Sequence, residues 1–538
     1  MALAFVHLVG LLAFTWVIFI TRYVWCRFFS YQGIPTSIPW IGAPDGSPFS
    51  RAKSALKSFF GLREMLLNGY REYSKRDKVF ILPNIVNGHE VIIPTHYMNW
   101  LLEQPDTVLS QFETNRQFMC GDYTMLQHDM IRKDKWSRLS DIVKREMTRD
   151  IDDYVDDIVD EVQDSLKSLW GSNTEEWHEI NVYDVMSEVV ARVVNRVFVG
   201  LPLCRNPGYV QASMGFSKYI LLWAMGIEML PRLLKPLVAP ILTAYDYMVH
   251  YKRMSGFVTP LFRDRVSRHF KEPTAAAKQP NDYIQWVVRD LVKRGLNPQD
   301  DDPDDMVSKQ LAITSFTAIQ SSAITITNAL VDISATPPSI EVQESLRAEL
   351  LSIPAKNKSW TRASLSKLPK LDSVLTETLR LWGILTHGVT KAVVAPEGVT
   401  LPSGEHIPCG AKVGIASYGP HLDEEIYGQE TSPFVFDAFR FTRNCHKKKG
   451  APPGLSFITT GEYYMGFSHG RFACPGRFFA NSLLKILLAH ITLMYDLEPI
   501  EDRPANPWLN NTIGPPIGTK IRVRRRKVDA DTFQPLTL

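Results

Sequence analysis

The chain has few cysteines for its length and no motif that pairs them. Six cysteines are spread over 538 residues, and no two of them form a Cys-x-x-Cys pair. This scarcity argues against a disulfide framework, a redox dithiol and a cysteine-based zinc site, and it is typical of a reducing compartment. The net charge of only +3 gives no reason to expect nucleic-acid binding. Internal repeats and low-complexity tracts are also missing, so one large domain can account for the length.

A long apolar run opens the chain. Residues Ala2–Ile20 are almost all apolar, which is about the length that a helix needs to cross a bilayer. Arg22 and Arg27 follow at once and no basic residue precedes the run, so the positive-inside bias predicts a single-pass anchor with the remaining chain in the cytosol. A cleaved signal peptide is the alternative, disfavoured because a basic start and a small-residue cleavage site are both missing. We therefore predict an anchor over residues 1–30, a proline-rich hinge over 31–50 and a single catalytic domain over 51–538.

The rest of the chain combines a helical body with short β-rich segments. Two β-rich runs flank Asn87-Gly88 between Val79 and Pro94, which predicts a hairpin. The chain is mostly helical to about residue 380, β-like over 388–413, helical again over 477–495 and extended over 520–528. The polar stretch 271–305 is interpreted as a surface loop around a short helix. The predicted fold class is mainly α with small β-sheets (α+β).

One cysteine stands in a distinctive loop. Cys474 lies in Phe467-Ser-His-Gly-Arg-Phe-Ala-Cys-Pro-Gly-Arg477, between Gly470 and Gly476 and just before a helix-like run. A lone thiolate held in this way is what an iron porphyrin needs as its axial ligand. The two glycines are expected to permit backbone angles closed to other residues, so that amide hydrogens point at the sulfur. A buried structural cysteine in a Gly/Pro turn is the alternative.

This loop resembles the haem-thiolate loop of cytochromes P-450, of the form FxxGxRxCxG. Phe467, Gly470, Cys474 and Gly476 fall in place, and the Arg-Phe-Phe-Ala that follows is similar to the fungal branch. The resemblance implies the cytochrome P-450 fold after one N-terminal transmembrane helix, with haem b bound through Cys474. It departs at Phe472, where the family has an Arg or His that contacts a haem propionate, and Arg471 stands one step earlier.

An ExxR pair agrees with the same family. Glu377 and Arg380 are three residues apart, which puts both on one helix face. At this spacing an ordinary surface ion pair is common. The resemblance implies instead a buried network with Arg440, from the segment between the pair and the Cys loop, which locks the core.

A long run from Asp304 to Ile333 is apolar and Ser/Thr-rich on all sides, as in a central buried helix. A transmembrane segment is the alternative, disfavoured by the hydroxyl and amide groups. The run resembles the family's helix over the distal haem face, where Gln320 replaces an acid and Ser321 replaces a threonine. Oxygen activation consumes protons, and a hydroxyl such as Ser321 can hold the water that relays them. Gln320 cannot titrate, and Ser321 as a plain packing residue remains open.

Further contacts follow from the resemblance alone. It implies propionate contacts by Arg132, Trp136 and Lys391, each of which an ordinary surface role would also explain. Substrate contacts are expected around 112–124, 216–229, 385–389 and 511–517.

The proline-broken apolar segment 219–242 resembles the access-channel region that dips into the membrane, with a plain pair of core helices as the alternative. The basic run 447–449 is expected to attract an acidic flavoprotein, although a solvated loop would look the same.

The sequence thus predicts a haem-thiolate monooxygenase of fungal type, in the endoplasmic reticulum membrane with its catalytic domain in the cytosol. It is expected to hydroxylate a lipophilic small molecule, in secondary-metabolite biosynthesis, with O2 and electrons from NADPH. NADPH–cytochrome P-450 reductase is the expected electron donor and cytochrome b5 a second one; nucleic acid is not an expected partner. Two alternatives stay open: oxidative coupling or ring rearrangement without oxygen insertion, and a membrane-tethered haem-binding protein without catalysis.

Overall fold

The computed structural model describes most of the chain from residue 33 onward. The described residues are 21–22, 24, 33–126, 141–149, 151–271, 280–293, 303–353, 360–428, 430–443 and 456–527. The predicted anchor lies almost entirely outside them and stays a prediction. Among the described residues, only Arg477–Met494 is a helix long and apolar enough to cross a bilayer, and 67% of it is buried, as in a core helix.

Helices make up most of the described chain. In chain order they are α1 Pro48–Glu72, α2 Met98–Glu103, α3 Gln111–Phe118, α4 Gly121–Thr124, α5 Val155–Trp170, α6 Val182–Val199, α7 Pro207–Glu228, α8 Lys235–Tyr245, α9 Lys252–Lys271, α10 Tyr283–Lys293, α11 Pro303–Ala335, α12 Val342–Leu351, α13 Arg362–Leu365, α14 Pro369–Trp382, α15 Tyr418–His421, α16 Glu424–Tyr427 and α17 Arg477–Met494.

The strands form small sheets at the edge of this helical body. They are β1 Phe80–Leu82, β2 Glu90–Ile92, β3 Leu109–Ser110, β4 His178–Asn181, β5 His387–Val393, β6 Val399–Thr400, β7 His406–Ile407, β8 Lys412–Ala416, β9 Tyr495–Leu497, β10 Trp508–Leu509, β11 Thr512–Ile513 and β12 Lys520–Arg525. The largest sheet has the order β1-β2-β8-β5-β3, and β12 lies between β4 and β9 in a second one. The predicted hairpin is confirmed, with Phe80 opposite Ile92.

The core is built around α11. This helix packs against α6, α7, α9 and α14, and its residues from Val307 to Ser334 are mostly buried on every side. Such a helix needs apolar or small hydroxyl side chains all round, which explains its sequence. The predicted helices over 304–333 and 477–495 and the strand over 520–528 are therefore confirmed, with ends shifted by a few residues.

The short helix predicted within 271–305 is confirmed as Tyr283–Lys293, but its placement at the surface is wrong. The helix is amphipathic, and its inner face, with Tyr283 and Trp286, is buried in the main core. Polar residues flank a short apolar stripe here, so average composition concealed the helix's buried face.

A buried ion pair joins α14 to α17. The Lys485 ammonium lies 2.7 Å from the Asp372 carboxylate and donates to the Leu365 carbonyl, also at 2.7 Å. The other Asp372 oxygen accepts from the backbone N–H of Phe457 at 3.0 Å. This pair sets the position of α17, and therefore of the loop that precedes it.

Candidate active site

The Cys474 loop is a compact turn closed by backbone hydrogen bonds. The Cys474 N–H donates to the Phe467 carbonyl at 2.9 Å, and the Ala473 N–H donates to that of Gly470 at 3.1 Å. Gly470 has φ +63°, and a Cβ there would lie 2.7 Å from the Leu102 side chain. Glycine is therefore required at 470 for both conformation and space.

Gly476 does not need its conformational freedom. Its φ of −86° and ψ of 3° are open to any residue, so the expectation of a special backbone angle is wrong at this position. A Cβ would only reach ordinary contact with the Cys474 sulfur, at 4.0 Å.

The Cys474 thiol is surrounded by protein but keeps some accessible surface. Burial raises the pKa of this thiol above its usual value, and the backbone N–H groups of Gly476 and Arg477 and the Arg477 charge offset part of that rise. Amide hydrogens near a sulfur favour the thiolate. A half-buried cysteine with such donors beside it has the properties of a candidate metal ligand.

Two cations lie close to the Phe472 ring. The Lys391 ammonium is 4.4 Å from the centre of its ring, and the Arg471 guanidinium carbon is 4.6 Å away. Both side chains donate to the same Gln104 carbonyl, at 3.1 and 2.7 Å. Burial and the Arg471 charge lower the pKa of Lys391 to about 8. Positive charge is thus present beside Phe472, the position at which the family has an Arg or His.

Glu377, Arg380 and Arg440 form one buried ionic network. Arg380 binds both Glu377 oxygens at 2.7 Å, and Arg440 lies 3.0 Å from one of them. All three side chains are at most 4% exposed. The remaining N–H groups of both arginines donate to backbone carbonyls between residues 421 and 435. The network therefore holds this irregular segment against α14.

His421 connects this network to the Cys loop. Its Nε2 accepts from the Met465 N–H at 2.9 Å, which leaves the proton on Nδ1 to donate to the Arg380 carbonyl at 3.2 Å. Burial and the Arg380 charge lower the pKa of His421 to about 3, so the ring is neutral at physiological pH. No periodicity or motif in the sequence marks His421.

Gln320 and Ser321 lie on α11 in different hydrogen-bonding environments. The Tyr183 hydroxyl, from the first turn of α6, donates to the Gln320 side-chain oxygen at 2.9 Å. The Ser321 hydroxyl donates to the Thr317 carbonyl one turn earlier at 2.7 Å and can still accept a bond from water. Tyr183 was not predicted, because it is 137 residues away from Gln320 in the chain.

The four expected substrate segments meet in pairs. Leu385 is bridged to Thr512, and the Thr386 N–H donates to the Asn511 carbonyl at 3.1 Å. At the other pair, the Cys120 thiol lies 3.2 Å from the Ala224 carbonyl. In the segment 385–389, His387 lies 2.8 Å from the buried Glu90 carboxylate. These contacts give the loops defined positions relative to the sheet and to α7.

Of the remaining predicted site residues, the structure describes Phe467 but not Arg132 or Trp136. Phe467 packs edge-on against Phe457, with ring centres 5.0 Å apart, at the edge of the main core. Arg132 and Trp136 lie outside the described residues, as does the basic run 447–449.

We expect Glu377→Gln to lower the free energy of unfolding by about 3–5 kcal/mol, because two buried guanidinium groups lose their counter-charge. Since the network positions the Cys loop, haem content should fall as well. Urea unfolding followed by circular dichroism and haem absorbance per protein measure both effects. Glu344→Gln is the matched control: Glu344 pairs with Arg347 at the same spacing but is 66% exposed, so the change should be at most about 1 kcal/mol. Equal stability and haem content in the two variants would contradict the role of the network.

The chain matches known proteins over nearly its whole length. Residues 84–521 match the Cytochrome P450 family. The chain is 31% identical to cytochrome P450 monooxygenase 151 of Postia placenta, over 93% of this chain and 96% of the relative. It is 28% identical to cytochrome P450 monooxygenase gloP of Glarea lozoyensis and 26% identical to astC of Aspergillus terreus, over 95% or more of each chain. Enzymes of this family are haem-thiolate monooxygenases that use O2, a redox partner and a small-molecule substrate. The chain belongs to the cytochrome P450 family.

Proposed function

We propose that this enzyme hydroxylates a lipophilic small molecule in fungal secondary metabolism. One oxygen atom of O2 would enter the substrate and the other would leave as water. The Cys474 loop, closed by the hydrogen bond from the Cys474 N–H to the Phe467 carbonyl and placed directly before α17, is the observation that carries the proposal. Its similarity to cytochrome P450 monooxygenases of fungi supports the reaction class.

The residues present fit a haem group. Cys474 would be the axial ligand, and the loop's backbone donors would moderate the charge on its sulfur. Lys391 and Arg471 would offer their charges to the propionates. Haem, when bound, supplies the oxidising chemistry, and its thiolate ligand favours O–O cleavage. Ser321 would hold a water molecule, and Tyr183 would orient the Gln320 amide beside it.

Electrons would come from NADPH through a membrane-bound cytochrome P-450 reductase, with cytochrome b5 as a second donor. Arg477 lies at the end of the Cys loop, so positive charge is present near the expected docking face. Acidic partners are steered by such charge.

The substrate would enter from the endoplasmic reticulum membrane. Leu233, Leu237 and Ile241 follow one another at spacing four before and along α8, and they are 72%, 68% and 73% exposed. Tyr245 continues this apolar stripe, and the exposed Arg232 lies beside it. An exposed apolar stripe with a basic residue beside it fits the surface of a bilayer.

Oxidative coupling without oxygen insertion is the second candidate. The observation that favours it is Gln320, whose side chain is neutral at every pH and is held by Tyr183. A site without a titrating acid at this position has less proton-relay capacity.

For the reaction itself, we expect products made under 18O2 to carry one labelled atom, because hydroxylation takes one atom from O2. Comparing metabolites with the gene expressed and silenced identifies the product to be analysed by mass spectrometry. Unlabelled product would favour coupling over hydroxylation.

The reduced protein should also give the red-shifted carbon monoxide band of a thiolate-bound haem, and Cys474→Ser should lose it.

Replacing Tyr183 by Phe should increase the peroxide released per NADPH oxidised. Loss of its hydrogen bond costs about 1 kcal/mol, so the preferred orientation of the Gln320 amide weakens roughly fivefold. Tyr97→Phe, at a half-buried tyrosine outside α6 and α11, is the control. The same peroxide yield in both variants would show that Tyr183 does not affect proton delivery.

For the membrane surface, we expect a polarity-sensitive label at Leu237→Cys to shift to the blue when the full chain is placed in phospholipid nanodiscs. The physical reason is transfer of the stripe from water to the acyl boundary. The same label at Leu351→Cys, 52% exposed on α12, should not shift. The background is a Cys409→Ser protein, because Cys409 is exposed. Equal spectra at both positions would exclude membrane contact by α8.

A further inference from the structure

A second cleft lies at the far end of α17, remote from the Cys loop. It has a volume of about 180 Å³ and is lined by residues of α5, α17 and β12 and by Trp360. His490, in its lining, follows the first residue of α17 by thirteen positions, or about 20 Å along the helix axis. The cleft is therefore separate from the site built around Cys474.

His490 brings unused hydrogen-bonding capacity to this cleft. Within the part of the chain that the structure describes, its imidazole has no hydrogen-bond or ion-pair partner, yet it lines the cleft. Burial, together with the nearby Arg525 charge, lowers the pKa of His490 to about 4, so the ring is neutral at physiological pH. A neutral imidazole offers one N–H donor and one acceptor nitrogen. His490 is half-buried at the cleft, so a ligand bound there could use both of these groups.

The cleft is also electropositive. Lys167 and Arg525 both line it, and no carboxylate among the described residues does. Within the same residues Lys167 has no ion-pair partner, and Arg525 donates only to the Tyr495 hydroxyl, at 3.1 Å. The arginines on either side of Arg525 in the chain differ, since Arg524 and Arg526 lie 3.3 and 3.4 Å from Asp496. In the described part of the chain, the arginine at the cleft thus has no counter-charge.

The volume and the apolar lining of the cleft limit the class of ligand that it can bind. A cavity of about 150 Å³ accepts benzene, so about 180 Å³ accommodates one ring with a small substituent. Trp360, Ile486 and Leu493 supply aromatic and aliphatic surface. We propose that this cleft binds a monocyclic aromatic carboxylate, with its ring against Trp360 and Leu493 and its carboxylate accepting from Arg525 and His490.

The test uses the full-length, haem-loaded protein and benzoate as the probe. Equilibrium dialysis with isotope-labelled benzoate should give saturable binding of one molecule per chain, without any change in haem absorption. Benzylamine, which has the same ring and the opposite charge, should not compete. Arg525→Gln should weaken binding by roughly tenfold or more, because a charge-assisted hydrogen bond is lost. Leu493→Trp should abolish binding by filling the cleft.

Arg522→Gln is the matched control, since Arg522 lies on the same strand but is exposed and paired with Glu498 at 2.9 Å. It should bind benzoate like the unchanged protein. The proposal is overturned if binding is not saturable, if benzoate changes the haem absorption, or if Arg525→Gln binds as tightly as Arg522→Gln. Arg525→Gln decides the question by itself should Leu493→Trp fail to incorporate haem.

Discussion

The carboxylate of Glu377 binds two buried guanidinium groups, and the position of the Cys loop depends on it. Such a network is stable only while every partner is present, because an uncompensated charge in this environment is costly. The other donors of Arg380 and Arg440 bind carbonyls of residues 421–435, a segment with little regular structure. His421, at the start of that segment, accepts a hydrogen bond from the Met465 N–H and so links the segment to the residues just before the Cys loop. The ionic network thus positions a loop that it does not touch.

Features with a local signature were predictable from the sequence. Long, largely apolar runs gave α11 and α17, Asn87-Gly88 gave the first hairpin, and contiguous spacing gave the Cys474 loop and the Glu377–Arg380 pair. His421, Gln104 and Tyr183 were missed because each meets its partner across a long stretch of chain, and no pattern around them marks the contact. Gly476 shows the opposite error, since a glycine in a motif does not by itself require an unusual backbone angle.

At Phe472, neighbouring residues supply the positive charge that the residue itself lacks. The family places a cation two residues before the cysteine, and here that position carries an aromatic ring. Lys391 from β5 and Arg471 from the loop both approach the ring, whose face attracts positive charge. The Gln104 carbonyl accepts from both and holds them together against their mutual repulsion. That Lys391 and Arg471 bind a haem propionate is a prediction. Their charges keep the potential beside Phe472 positive, although they come from two different elements.

The Cys loop is held at both ends by helices. Met465 is bound through His421 to α14, and Arg477 is already the first residue of α17. Lys485 and Asp372 in turn bind those two helices to each other. Local opening free energies follow the contacts that must break, so displacement of this loop is coupled to the contacts of both helices. The proposed bond from the Cys474 sulfur to iron would therefore have a lifetime that depends on the stability of the core as well as on loop motion.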